Sequence, residues 1–398
     1  MQTYRDLFRT PQFTPLFLST AVQVAASTLR GLALAVLVYS ATGSPLLSAL
    51  SLFGSHFAQV IGATTLLSVA DRVPPRAALV AVYLLNGLSA CVLALPSVAV
   101  WGVFVVIGVQ GLAGSVLGGV RWGLLGEILP RDGYVLGRSV FNMSVGAMQI
   151  TGFALGGSLL LVATPRLALL AAAALCFVSA LIAVFGLAER APRAAGRPSI
   201  RETWRVNAQL LSLPNRRYAY LAVWIPNGLV VGNEALFVPY NPGTASVLFI
   251  AGALGMLAGD AVMGRWIRPE SRERLLTPLQ LLLGIPYLLF AFPLASPVAA
   301  VAVAAASAGF SGGLILQQRI IHQTPESIRG QALGLHSAGM FTMQAVGASL
   351  AGVIAQYVPT ASAIVIMGAL SILTTLALTP LLRLPETRER EVSAATVS

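Results

Sequence analysis

Long apolar runs, separated by short polar or glycine–proline joints, fill almost the whole chain. A helix needs about 20 apolar residues to cross the hydrocarbon core of a bilayer. Twelve stretches meet that length, at 14–39, 45–70, 76–96, 98–120, 136–163, 166–188, 217–240, 245–267, 276–294, 297–319, 330–357 and 361–383. The first run, beginning near Phe13, is too long for the apolar core of a signal peptide and lacks a clear small-residue cleavage site, so it reads as the first span. Thr42-Gly43-Ser44-Pro45, Leu95-Pro96, Thr164-Pro165, Tyr240-Asn241-Pro242 and Ser296-Pro297 are uncharged tight joints, and all fall on one face of the bundle these spans would form.

The charges fall on the other face. All 25 basic residues are arginine, and 23 of them lie on one side of the spans; Arg166 lies opposite and Arg30 lies inside a span. Such asymmetry orients a polytopic membrane protein with its arginines in the cytoplasm. An even number of spans then puts both termini there, in a multi-pass protein of the bacterial inner membrane. Apolar residues make up 56% of the chain and charged residues only 10%, against roughly a quarter charged in soluble domains, so no soluble core is expected. The net charge of +11 does not point to nucleic acid, because the arginines sit in short loops facing the anionic leaflet and form no basic stripe with interleaved aromatics. Cys91 and Cys176 lie in apolar spans and read as small buried hydrophobes.

The longest connection, 189–216, carries Arg190, Arg193, Arg197, Arg201, Arg205 and Arg216. Ser199 and Glu202 have capping-box spacing, and Ile200, Trp204 and Leu211 share a helical face that Arg201 and Arg205 avoid. A short helix on the membrane surface and a plain tether both fit this segment. The chain therefore divides into a six-span bundle at 1–188, the linker at 189–216, a second six-span bundle at 217–385 and a tail at 386–398. The halves repeat: Met148-Gln149-Ile150-Thr151-Gly152 returns as Met343-Gln344-Ala345-Val346-Gly347 at an offset of 195 residues, which also carries Pro130 onto Pro325. Parallel six-span repeats imply a pseudo-two-fold axis along the membrane normal.

Several motifs carry a resemblance to a known family. Asp71-Arg72-Val73-Pro74-Pro75-Arg76 after the second span, its partial copy Gly264-Arg265-Trp266, and Pro325-Glu326-Ser327-Ile328-Arg329-Gly330 before the eleventh are similar to signatures of the major facilitator superfamily. Gly152-Phe153-Ala154-Leu155-Gly156-Gly157 resembles the fifth-helix motif of that family's antiporters, with Phe153 in place of proline. Where proton-coupled exporters commonly hold a fourth-helix arginine, this chain has Gln110 before Gly111. The resemblance covers nearly the whole chain. It implies an all-α integral membrane fold of 12 transmembrane helices in two pseudo-two-fold-related six-helix bundles, working by alternating access. It also implies a gating network of Asp71, Arg72 and Arg76 with Glu127, Glu326 and Arg329 that latches the outward-open state; a solvated loop without coupling is the other reading.

Charges at depth are the candidate chemistry. Glu234 and Asp260 are the acidic residues well inside apolar spans. An ionised side chain there costs on the order of 3 kcal/mol, so it faces a cavity, pairs, or takes up a proton. Glu234 reads either as a proton carrier or as a structural partner of Arg30, and Asp260 as a second carrier or a partner of Arg265. Arg30 keeps its proton, so it must meet an anion: Glu234, a substrate group, or cavity water. His56, Gln59, Asn142, Gln149, Asn227, Asn233, His336 and Gln344 are polar candidates for substrate contact or helix-to-helix hydrogen bonds. Phe141, Phe153, Trp224 and Phe237 would supply an apolar cavity wall. Gly114 and Gly118, Gly152 and Gly156, and Gly330 and Gly334 have the small-xxx-small spacing of close helix packing, and Pro226 and Pro286 should disturb their helices.

The chain has no metal cluster, nucleotide-binding glycine loop or catalytic constellation, so it reads as a transporter and not an enzyme. The expected function is proton-coupled export of a small amphipathic drug or metabolite, multidrug antiport among the possibilities, by a monomer that needs no cofactor beyond the proton gradient and whose partners are substrate, protons and lipid. An importer or facilitator of an anionic metabolite with Arg30 as counter-ion is the second reading. A non-transporting sensor or lipid-binding scaffold is the third.

Overall fold

A computed structural model describes residues 4–65, 73–192, 200–325 and 328–383. Among them are twelve helices long and apolar enough to cross a membrane. They are α1 (Phe13–Thr42), α2 (Pro45–Gly62), α3 (Pro75–Ala94), α4 (Val100–Ile128), α5 (Leu136–Val162), α6 (Pro165–Gly186), α7 (Pro214–Tyr240), α8 (Ala245–Arg265), α9 (Glu270–Ala291), α10 (Ser296–His322), α11 (Arg329–Tyr357) and α12 (Thr360–Leu378). The joints that end them use the expected chemistry. Ser44 and Thr164 accept from the backbone N–H groups of Leu47 and Leu167, and prolines open α2, α3, α6 and α7.

Four spans are interrupted. Gly54 splits α2 into Pro45–Phe53 and Ser55–Thr65, and α7 breaks at Leu236. α9 tightens into a 3-10 stretch, Ile285–Ala291, with Pro286 at its start, while α10 carries a 3-10 turn at Gly309–Ser311. Pro226, by contrast, sits inside a continuous helix.

In each half one helix is central: α1 packs on α5 and α6, and α7 on α11 and α12. The halves meet along α2 with α11 and α5 with α8. Toward the arginine-poor face one apolar cluster spans both halves, joining Leu32 and Ala35 of α1 to Phe237, Phe249 and Tyr287. Toward the arginine-rich face the core separates into two clusters, one around Phe13, Tyr83 and Phe141 and the other around Tyr220, Leu210 and Ile320.

Three expectations need correction. α4 continues well past 120, so Arg121 lies inside a span, with its guanidinium 4.6 Å from the Trp122 ring centre. Its aliphatic stem and this aromatic face let the helix run on where charge alone suggested a loop. The linker forms a helix, Ile200–Ser212, but it docks on the second bundle through buried Val206 and Leu210, and Trp204 is exposed. The capping box falls outside what can be tested: Ser199 lies outside the described residues and the Glu202 side chain is not described. Of the glycine pairs, Gly152 and Gly156 face α1 closely and Gly114 meets Gln59, whereas a β-carbon at Gly118, Gly330 or Gly334 would meet nothing within 4 Å.

Candidate functional site

A cavity of about 640 Å³ lies between the halves, within the range that holds a drug-sized ligand. Its ceiling is aromatic. Phe153 of α5 stacks on Phe249 of α8 with ring centres 4.5 Å apart, and Phe237 of α7 meets Phe249 edge-on at 5.1 Å. Above that layer the halves are joined by polar contacts at the arginine-poor face. Gln356 donates to the Ser44 hydroxyl at 3.0 Å, and the Tyr39 hydroxyl donates to the Pro239 carbonyl at 3.4 Å. Below it the lining runs toward the arginine-rich face through Gln59, Asp260, Gln317 and His336.

Arg30, Glu234 and Asp260 all line this cavity. Gly156 packs against Leu29 and Leu32, which puts Arg30 in the layer of the Phe153–Phe249 stack. Glu234 is one helical turn from Phe237 and shares that layer. Asp260 is three turns along α8 from Phe249, roughly 16 Å nearer the arginine-rich face. The expected Arg30–Glu234 ion pair is not formed. Arg30 instead donates to the Asn86 carboxamide oxygen on α3 at 3.2 Å. The cause is rotational: Arg30 is anchored into its own bundle, and Glu234 lies across the cavity on the other. Nor does Asp260 pair with Arg265. Among the described residues neither carboxylate has an ion-pair or hydrogen-bond partner, although the buried Tyr287 hydroxyl, also without a partner, lies within electrostatic reach of Glu234.

The polar candidates divide. Gln149 and Gln344, equivalent by the internal repeat, both line the cavity, and Gln344 donates to the Asn227 side-chain carboxamide oxygen at 3.1 Å. His56 also lines it, with its ring 4.9 Å from Phe341 across the interface between halves. Asn233 is fully buried beside Glu234 with neither amide atom hydrogen-bonded, and it does not line the cavity. The Asn142 side chain is not described. Of the expected apolar wall, Phe153 and Phe237 line the cavity. Phe141 is instead buried among Phe13, Phe17 and Trp122, and Trp224 donates to the His336 carbonyl.

The gating residues are only partly visible: Asp71, Arg72 and Glu326 lie outside the described residues. Arg76 pairs with Glu189 at 3.3 Å and Glu127 with Arg190 at 3.1 Å, both between the first bundle and the start of the linker, while Arg329 donates to the Thr324 carbonyl within the second half. These contacts accompany a seal at the opposite face.

Asn86, Gln110 and Tyr287 were not assigned to the site from sequence. Asn86 and Gln110 are polar residues inside apolar spans, the same signal that marked Glu234, and it applied to them equally.

A model of the Major Facilitator Superfamily matches residues 237–397. No curated protein sequence matches the chain. Among solved structures, a POT family transporter in complex with 5-aminolevulinic acid is similar with a TM-score of 0.72 at 12% identity, covering 94% of this chain and 96% of that one. The peptide transporter POT in complex with sulfate gives 0.72 at 14% identity, covering 96% and 98%. The nucleoside transporter NupG, as a point variant, gives 0.69 at 12%, covering 92% and 100%. At these identities the likeness is one of fold.

Proposed function

We propose that this chain is a secondary transporter of the major facilitator superfamily that exports a small amphipathic compound in exchange for protons. The observation that carries this reading is the Glu234 carboxyl group, which faces the cavity and, among the described residues, has no ion-pair or hydrogen-bond partner. A carboxylate at membrane depth with no counter-charge is tolerated where it takes up a proton or meets a ligand, and the two compete for one site. Asp260, nearer the arginine-rich face, offers a second carboxyl on the route to bulk water. The arginine distribution supports a cytoplasmic assignment for that face, with the protein in a bacterial inner membrane.

The test is proton flux. Proteoliposomes with an imposed pH gradient should show proton movement only when substrate is present, and Glu234→Gln should abolish it while leaving the protein folded. Intact proton flux in Glu234→Gln would remove this residue as the carrier.

A second reading, uptake or facilitated passage of an anionic metabolite, is favoured by Arg30. Its guanidinium lines the cavity, and its one described hydrogen-bond partner is the neutral Asn86 carboxamide. Substrate-driven accumulation without proton movement, lost in Arg30→Gln, would select it.

A further inference from the structure

The permanently or commonly charged groups lining the cavity are segregated. On the first-half wall stands Arg30, accompanied by Gln110 and Gln149; on the second-half wall stand Glu234 and Asp260. The remaining titratable lining groups are His56 on the first wall and His336 on the second. Opposite charges in one layer of a low-dielectric cavity would ordinarily close on each other. Here Asn86 holds Arg30 on its own bundle, and a carboxamide orients a guanidinium without neutralising it.

Each class of ligand leaves a different account. A cationic amphipath would satisfy Glu234 or Asp260 and leave Arg30, which cannot shed its proton, dehydrated with no anion. An anionic ligand would satisfy Arg30 and leave the Glu234 and Asp260 carboxyl groups without a cationic partner, to be met only by proton uptake. A ligand bearing both charges meets both walls at once. The Nε2 of Gln110 is a further buried donor on the Arg30 wall without a hydrogen-bond partner, and it suits the oxygens of an anionic group.

We infer that the transported compound is a zwitterion, an amphipath whose carboxylate or other oxyanion seats on Arg30 and whose ammonium seats on the Glu234 wall. This inference rests on the reading of the cavity as the transport site. It also gives exchange a physical form: the ammonium and the proton compete for the same carboxyl groups, while Arg30 discriminates by the presence of an anion and does not itself titrate.

The test is equilibrium binding to the full-length protein in detergent, with no gradient, using three matched fluorescent probes. Nε-dansyl-lysine carries both charges, its methyl ester only the ammonium, and its Nα-acetyl derivative only the carboxylate. The zwitterion should bind at least about tenfold more tightly than either singly charged form, a step of one decade in Kd. Arg30→Gln should abolish the preference, so that zwitterion and ester bind that variant alike. Glu234→Gln combined with Asp260→Asn should bring it down to that of the acetyl acid. Equal affinity of zwitterion and ester on the unmutated protein overturns the proposal and needs no variant to fold; so does failure of all three probes to bind. Because the assay involves no proton gradient, loss of this selectivity leaves proton coupling standing. Conversely, selective binding with no proton flux sinks the coupling alone.

Discussion

A single hydrogen atom in place of a methyl group decides how closely α7 and α11 approach. A β-carbon on Gly347 would lie 1.8 Å from the Gly228 carbonyl oxygen, and one on Gly228 would lie 2.3 Å from that of Met343. Backbone has no rotamer with which to give way, so Gly347→Ala must part the helices, at a cost of about 1–3 kcal/mol or more. Gly334 sits on the same helix with nothing within 4 Å of its would-be β-carbon. Gly334→Ala should therefore be neutral or gain up to about 1 kcal/mol from helix propensity. Thermal unfolding of the two purified variants separates them: Tm should fall for Gly347→Ala and hold or rise for Gly334→Ala, and equal losses would refute the contact. Sequence spacing put Gly330 and Gly334 on a par with Gly152 and Gly156, because four-residue spacing marks a shared stripe without saying whether a neighbour faces it. The same blindness applies to charge. That Glu234 and Arg30 lie at depth was legible from residue type alone, but that Arg30 turns toward Asn86 depends on helix rotation, which no periodicity in so uniformly apolar a span reports.

At the scale of elements, twelve spans were legible because a bilayer imposes a length on every one of them. Their ends were less so, since arginines with long aliphatic stems extend a helix past its apolar core, as Arg121 does in α4. The linker helix shows a different ambiguity. In 13 residues two faces can be drawn, one through Ile200, Trp204 and Leu211 and one through Val206 and Leu210; the neighbouring bundle buries the second, with Leu211 half-buried beside it and Trp204 exposed. What fixes the helix is Arg216, almost fully buried at 2% exposure. Its guanidinium donates to the Leu210 carbonyl at 2.7 Å and the Gln209 carbonyl at 2.9 Å, capping the helix end, and to the Gln323 carbonyl beyond α10 at 3.1 Å. Hydrogen bonds from a charged donor contribute about 1.5–3 kcal/mol each, and a cation at a helix C-terminus adds to them. Arg216→Ala should therefore release the linker helix, raising amide hydrogen exchange across 204–212 by roughly two orders of magnitude while the spans stay protected. Arg216→Lys should not restore protection, because the three carbonyls are met by three separate guanidinium nitrogens, a spread that one ammonium nitrogen does not span. Unchanged exchange in Arg216→Ala would show that Val206 and Leu210 suffice.

For the whole molecule, the internal repeat forecast two bundles about one axis, and the cavity between them bears this out in Gln149 and Gln344, which face it from equivalent helices. The conformation was not legible, because a sequence that alternates must be compatible with both states and its interface residues serve each in turn. In the state described, the halves are held together above the Phe153–Phe249 stack, and α11 approaches the start of α2 closely there. A β-carbon on Gly352 would lie 2.7 Å from the Leu46 α-carbon. That contact joins the two halves on the arginine-poor face, so an obstacle placed there should penalise a state in which this face is shut more than one in which it is open. Gly352→Leu should cost the sealed state about 1–3 kcal/mol, a shift in the ratio of states of roughly 5- to 150-fold. Spin labels on Ser97→Cys and Ser296→Cys, exposed positions of opposite halves on that face, in a background with Cys91→Ala and Cys176→Ala, would read it as growth of the longer-distance population. Opening should also gain from Gln356→Ala, which removes the hydrogen bond to Ser44, but by less, since an exposed neutral hydrogen bond contributes only about 1 kcal/mol. Were Gly352→Leu to leave the distance distribution unmoved while Gly347→Ala destabilises as argued, the seal would not be the element that both states share out between them, and the aromatic layer beneath it would have to carry the closure alone.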